Sequence, residues 1–74
     1  MAIEIDTKGS NCPTPIIKTK MALKKMEAGE EVRVETTDPA SIVDFEEFCR
    51  ATGNTLVASS EDAGVFVFIV RKTA

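Results

Sequence analysis

Ile3 and Ile5 alternate with Glu4 and Asp6, so Ala2 to Asp6 reads as a short strand with one apolar face. Lys8-Gly9-Ser10-Asn11 is loop chemistry, and a helix is expected from Pro13 to Glu27, stopping near Gly29. Val32, Val34 and Thr36 then alternate with Arg33, Glu35 and Thr37, which marks a second strand. Asp38-Pro39 is a helix start, an Asp cap followed by Pro at the first helical position. That helix should run to Thr52 and end at Gly53-Asn54. Thr55 to Ser60 is a third strand, Glu61-Asp62-Ala63-Gly64 a hairpin loop, and Val65 to Arg71 a fourth strand. The order is β-α-β-α-β-β.

Each helix must bury one stripe. At 100° per residue, Ile16, Thr19, Ala22, Leu23 and Met26 share one arc of the first helix, and Ile42, Phe45, Phe48, Cys49 and Thr52 share one arc of the second. A two-layer α+β sandwich follows, with both helices on one face of a four-stranded sheet. The fourth strand is apolar on both sides, with Val65, Val67 and Ile69 opposing Phe66, Phe68 and Val70. Its outward side is either a contact surface or a strip partly covered by its neighbours through sheet twist.

Residues 1 to 74 are enough for one domain, which buries only about 60% of its unfolded surface. The sequence contains no linker, no repeat and no apolar run long enough to span a membrane. The first residues lack a basic region followed by an apolar one, so no secretory signal is read and a reducing cytoplasm is the expected compartment. There is no His, Trp or Tyr, which excludes a His general base, a Ser-His-Asp triad and any His-ligated metal within the chain. The net charge of −3 is uneven. Five lysines against Glu4 and Asp6 make residues 1–26 net +3, and the remainder is −6. This balance disfavours nonspecific nucleic-acid coating, and the basic first helix is either a solvated face or a surface suited to an acidic protein partner.

The two cysteines differ in setting. Cys12 lies in Cys12-Pro13-Thr14-Pro15, and two prolines this close fit only the first turn of a helix, where backbone N–H groups have no partners. Cys12 therefore falls at or beside the N-cap, a position that normally prefers Ser, Thr, Asp or Asn. A thiol placed there is wanted for its sulfur. The helix N-terminus favours the thiolate and draws the pKa from its free value of about 8.5 toward neutrality. Lys8 adds to this where the loop folds back, while the prolines withhold two donors. Cys49 sits on the apolar stripe of the second helix and is expected to be buried and structural. A Cys12–Cys49 disulfide is not favoured. Ile17 and Met21 point away from the core stripe among Lys18, Lys20, Lys24 and Lys25. They are either isolated surface apolars or a docking patch. The candidate docking residues are Lys8, Ile17, Lys18, Met21 and Lys24. The scattered glycines form no phosphate loop, and the acidic residues form no carboxylate pair.

The run Asp6-x-x-Gly9-x-x-Cys12-Pro13-x-Pro15 resembles the TusA/SirA family of small sulfur-carrier proteins. Thr37-Asp38-Pro39, Phe48-Cys49-Arg50 with Gly53, and Phe68-Ile69-Val70-Arg71-Lys72 fit the same pattern, so the likeness covers nearly the whole chain. The resemblance implies a mixed sheet of order 1-2-4-3 with the fourth strand antiparallel to the rest. It implies that Cys12, supported by Gly9, Pro13 and Pro15, accepts sulfane sulfur as a persulfide. The second cysteine has no part in the transfer, and neither a metal nor another cofactor is needed. The implied donors are a cysteine desulfurase or a rhodanese-type protein. The implied acceptors are relay proteins of tRNA thiolation, molybdenum cofactor assembly or sulfur oxidation. Such a protein is a relay component rather than a stand-alone enzyme, and direct contact with nucleic acid or membrane is not expected. Two other readings compete. One is a protein- or RNA-binding regulatory module. The other is a thiol redox protein, which would lack a resolving cysteine near Cys12.

Overall fold

The computed structural model describes residues 3–9 and 14–73. Its elements are β1 Ile3–Thr7, α1 Thr14–Lys24, β2 Glu31–Thr36, α2 Ser41–Thr52, β3 Thr55–Asp62 and β4 Val65–Arg71. The strands form one sheet of order β1-β2-β4-β3. β1 runs parallel to β2, and β4 is antiparallel to both β2 and β3. The two-layer α+β sandwich and the strand order implied by the resemblance are both observed.

Alternation along the strands decides the layers. Val32, Val34 and Thr36 of β2 are sealed from solvent, and across the ladder they face the buried Val70, Phe68 and Phe66 of β4. Leu23 of α1, Met26 just beyond it, and Phe45 and Cys49 of α2 pack on this same face. Phe45 and Phe68 stack with ring centroids 4.5 Å apart and planes 13° apart, joining helix to sheet at the centre of the core. On the opposite face Val65, Val67 and Ile69 are half-buried.

The structure moves several boundaries. α1 ends at Lys24 rather than Glu27. The chain tightens there, since the Met26 N–H donates to the Leu23 carbonyl and the Lys25 N–H to the Ala22 carbonyl. The Lys72 ammonium then donates to the carbonyls of Leu23 at 2.7 Å and Met26 at 2.6 Å. A cation from the end of the chain thus closes the negative end of α1. Lys72→Met should remove both bonds and cost about 1.5–3 kcal/mol, the range for hydrogen bonds to a charged group. Chemical denaturation followed by circular dichroism checks this, and an unchanged midpoint would contradict it.

α2 starts at Ser41, not at Pro39. The Asp38 carboxylate accepts the Ala40 N–H, which makes Asp38-Pro39-Ala40 a lead-in turn, and Ala40 at the N-cap offers no side-chain bond. Its buried stripe is consequently Ser41, Phe45 and Cys49, with Phe48 half-buried. Ile42 lies to the side, 40% exposed. Thr52, in the last turn, is exposed and donates its hydroxyl to the Phe48 carbonyl. The hairpin is tighter than the sequence suggests. β3 runs through Glu61 to Asp62, which pairs with Val65. Only Ala63 and Gly64 turn the chain, at φ 52° and 82°. Two consecutive positive φ values match the right-handed twist of the strands they join.

Candidate functional site

Cys12 and Pro13, with the expectation that the cysteine stands at the helix N-cap, lie outside the described residues. The structure defines the frame on either side of them. Thr7 closes β1, is 1% exposed, and donates its hydroxyl to the Glu35 carbonyl at 2.6 Å. The Lys8 N–H donates to the Asp6 carboxylate at 3.0 Å, and the Gly9 N–H donates to the Thr37 hydroxyl at 2.9 Å. The Thr7 and Gly9 bonds pin the chain leaving β1 to the end of β2. Gly9 has φ +82°, and a Cβ there would meet nothing within 4 Å. The requirement for glycine is therefore conformational, not steric. Gly9→Ala should cost about 1–2 kcal/mol through its left-handed backbone. The thermal midpoint of a chain this short should fall by about 4–8 °C per kcal/mol. A variant melting at the wild-type temperature would contradict that.

On the far side the helix begins at Thr14. Pro15 is fully buried, and its carbonyl accepts the hydroxyl of the equally buried Thr19 at 2.8 Å. A proline in the first turn needs no N–H partner, so it anchors the start of α1 against the core without an unsatisfied donor.

Lys8 lies between two carboxylates. Its ammonium is 3.2 Å from Asp6 and 3.2 Å from Glu35. The Lys8 backbone N–H, followed by its ammonium, holds the Asp6 carboxyl below its usual range, and the ammonium does the same for Glu35. Hydrogen bonds to Asp6 and then Glu35 push the lysine up. Arg33 extends the cluster, 3.2 Å from Glu35 and 3.5 Å from Glu4. The Lys8 charge is engaged by this network.

Cys49 is 4% exposed in the core, and burial pushes its thiol pKa up. A thiol in that setting is a poor nucleophile. Ile17 and Met21 are 50% and 57% exposed on α1, and Lys18 and Lys24 are exposed beside them. The structure separates these residues. Lys18 and Met21 line a groove between α1 and β1, and Ile17 and Lys24 lie outside it.

Sequence reasoning missed Thr37, whose hydroxyl fixes the Gly9 N–H, and Lys72, which holds the far end of α1. Thr37 appears in the sequence as an outward strand position. Only the parallel register that sets Thr7 beside Thr36 brings Thr37 to the loop.

Comparison with known proteins gives consistent results. The family model described as "Sulfurtransferase TusA" matches residues 3–72. The chain is similar to the sulfur carrier protein TusA of Allochromatium vinosum, 43% identical over 70 residues covering 95% of this chain and 92% of that one. It is likewise 43% identical to a putative sulfur carrier protein of Neisseria meningitidis, over 90% of both chains. Among solved structures, the SirA-like protein of Desulfitobacterium hafniense superposes with a TM-score of 0.86 at 28% identity, and the match covers 100% of each chain.

Proposed function

The chain belongs to the TusA sulfurtransferase family, and on that premise we propose that it is a sulfur carrier that holds sulfane sulfur as a persulfide on Cys12 and passes it to an acceptor protein. The observation that carries the reading is the family match across nearly the whole length of a chain with two cysteines, one of them Cys49. Burial of Cys49, with its thiol pushed toward the protonated form, supports assigning the sulfur to Cys12.

The transfer needs only thiolate chemistry. The Cys12 thiolate attacks the outer sulfur of a donor persulfide. The S–S bond within the donor breaks, the donor leaves as a thiolate, and a new S–S bond forms on Cys12. In the second step an acceptor thiolate attacks the outer sulfur on Cys12, which leaves as the thiolate it was at the start. Each step exchanges one S–S bond for another, so no external oxidant or reductant enters. The start of α1 favours the anion at both stages. Gly9, pinned by Thr37, and Pro15, sealed in the core, fix the chain on either side of the segment that contains Cys12.

The donor is a cysteine desulfurase or a rhodanese-type protein, and the acceptor is a relay protein of tRNA thiolation, molybdenum cofactor assembly or sulfur oxidation, all in the cytoplasm. The exposed Ile17 and Met21, with Lys18 and Lys24, support docking on α1. The open sheet face carries Glu4, Asp6, Glu31 and Glu35, with Lys8, Arg33 and Arg71 paired to them, which favours a protein partner over a nucleic acid. Among the described residues no helix is long and apolar enough to cross a membrane.

The test is to supply sulfur from a desulfurase with cysteine, and separately from a rhodanese with thiosulfate, and to measure cyanide-labile sulfur on the purified protein. Loading from at least one donor is expected; none from either, with Cys12 open to alkylation, would contradict the reading. Reversing Lys18 and Lys24 to Glu should slow loading from the protein donor about tenfold and leave loading from a small-molecule polysulfide unchanged. Equal rates from the protein donor in the variant and the wild type would remove α1 from the docking surface.

A further inference from the structure

The two outer strands of the sheet are unequal. β3 is interrupted by a register shift between Leu56 and Ala58, and the intervening Val57 is 43% exposed. Bulges of this kind blunt an edge against further pairing. β1 is the other edge. Its register with β2 is unbroken from Ile3↔Val32 to Thr7↔Thr36, and among the described residues no strand lies on its outer side. A strand in this position presents backbone N–H and C=O groups of alternate residues on its free side.

Beside that edge lies the groove between β1 and α1, about 340 Å³ in volume. Its walls are apolar, formed by Ile3, Ile5, Met21 and Ala22, and Lys18 and Lys25 complete the lining. β1 and α1, the two walls of the groove, are consecutive in the chain on either side of the segment that contains Cys12. Lys18 is one helical turn from the beginning of α1.

We infer that the free edge of β1 and this groove receive an extended acidic segment of a sulfur-relay partner, paired to β1 as a fifth strand. The inference rests on the sulfur-carrier reading for the partner's role. Strand addition takes its affinity from main-chain hydrogen bonds and its selectivity from pockets that accept alternate side chains. Apolar side chains on the helix-facing side of the incoming strand fit against Ile3, Ile5 and Met21, and carboxylates on that same side, toward the ends of the groove, meet Lys18 and Lys25. Charge separates this occupant from a second copy of the chain. Antiparallel pairing of two β1 edges would set two α1 helices side by side, with the lysines of both facing one another. The strand delivered this way runs along β1, the element that leads in sequence into the segment containing Cys12.

The probe is a capped peptide Glu-Thr-Val-Thr-Val-Thr-Glu, whose glutamates and valines share one face of an extended strand, titrated into the isotopically labelled full chain and followed by amide chemical shifts, with the same peptide carrying lysine for glutamate as control. The acidic peptide should shift the amides of Ile3 to Thr7 and of Lys18 to Lys25, and slow exchange along β1. Reversing Lys18 and Lys25 to Glu should weaken it about tenfold, with the spectrum otherwise that of a folded protein. Four results overturn the proposal: no shifts at millimolar peptide, equal binding of both peptides, shifts confined to other surfaces, or concentration-dependent shifts of β1 without peptide, which mark self-pairing. A chain that loads sulfur but ignores the peptide overturns this site alone. A chain that binds the peptide but never loads overturns the carrier reading alone.

Discussion

Cys12→Ser should abolish sulfur loading from every donor while leaving the fold intact. A serine hydroxyl is nearly isosteric with the thiol, but it is not ionised near neutrality and forms no persulfide. The loss is therefore expected to reach the detection limit rather than a graded fraction. The α-β circular dichroism and the urea midpoint should stay close to the wild type, because the substitution changes a single atom of the side chain. The complementary change, Cys49→Ala, should leave loading intact and cost some stability through a small cavity. Loading that survives Cys12→Ser and disappears with Cys49→Ala would reverse the assignment.

Phe45→Ala is expected to have the largest effect on stability. Phe45 is fully buried, stacks on Phe68, and is the main side chain by which α2 holds the sheet. Removing a buried phenylalanine ring costs about 3–5 kcal/mol. A chain of 74 residues has a total stability of about 4–11 kcal/mol at the usual figure per residue. The variant should consequently be partly unfolded at room temperature or lose much of its denaturation midpoint. The chain has neither Trp nor Tyr, so far-ultraviolet circular dichroism in urea is the suitable measurement. A loss below about 1 kcal/mol would mean that α2 is held by contacts other than the Phe45–Phe68 stack.

The elements were legible because their periodicities are clean. Val32-Arg33-Val34-Glu35 can only be a half-buried strand, and Thr19 and Leu23, with Met26 just beyond the helix end, mark the inner side of α1 without reference to anything distant. Long-range relations were not legible. The early end of α1 depends on Lys72, which lies 49 residues from Leu23 in the chain. The start of α2 depends on whether the Asp38 carboxylate caps the helix itself or the turn before it, two geometries with one sequence signature. The two-residue hairpin turn was hidden because Ala63 is not a residue that advertises a positive φ.

The candidate site divides in the same way. Cys12 stood out through its prolines, and the exposure of Ile17 and Met21 followed from helical angles alone. The bond between Thr37 and Gly9 and the groove beside β1 arise from the sheet order, which places β1 at an edge and next to β2. No local pattern encodes that neighbour. Lys8 illustrates how this changes a residue's meaning. In the sequence it is a free cation near a reactive thiol, and in the fold it is bound to Asp6 and Glu35 at the outer face of the sheet.

The central claim is that Cys12 carries the sulfur. The most direct measurement is intact mass and peptide mapping of the reduced protein after incubation with a cysteine desulfurase and cysteine. The account predicts the gain of one sulfur atom, reversed by dithiothreitol and located on the peptide containing Cys12. Sulfur located on Cys49, or a mass unchanged by this donor and by a rhodanese with thiosulfate while Cys12 remains open to alkylation, would contradict it.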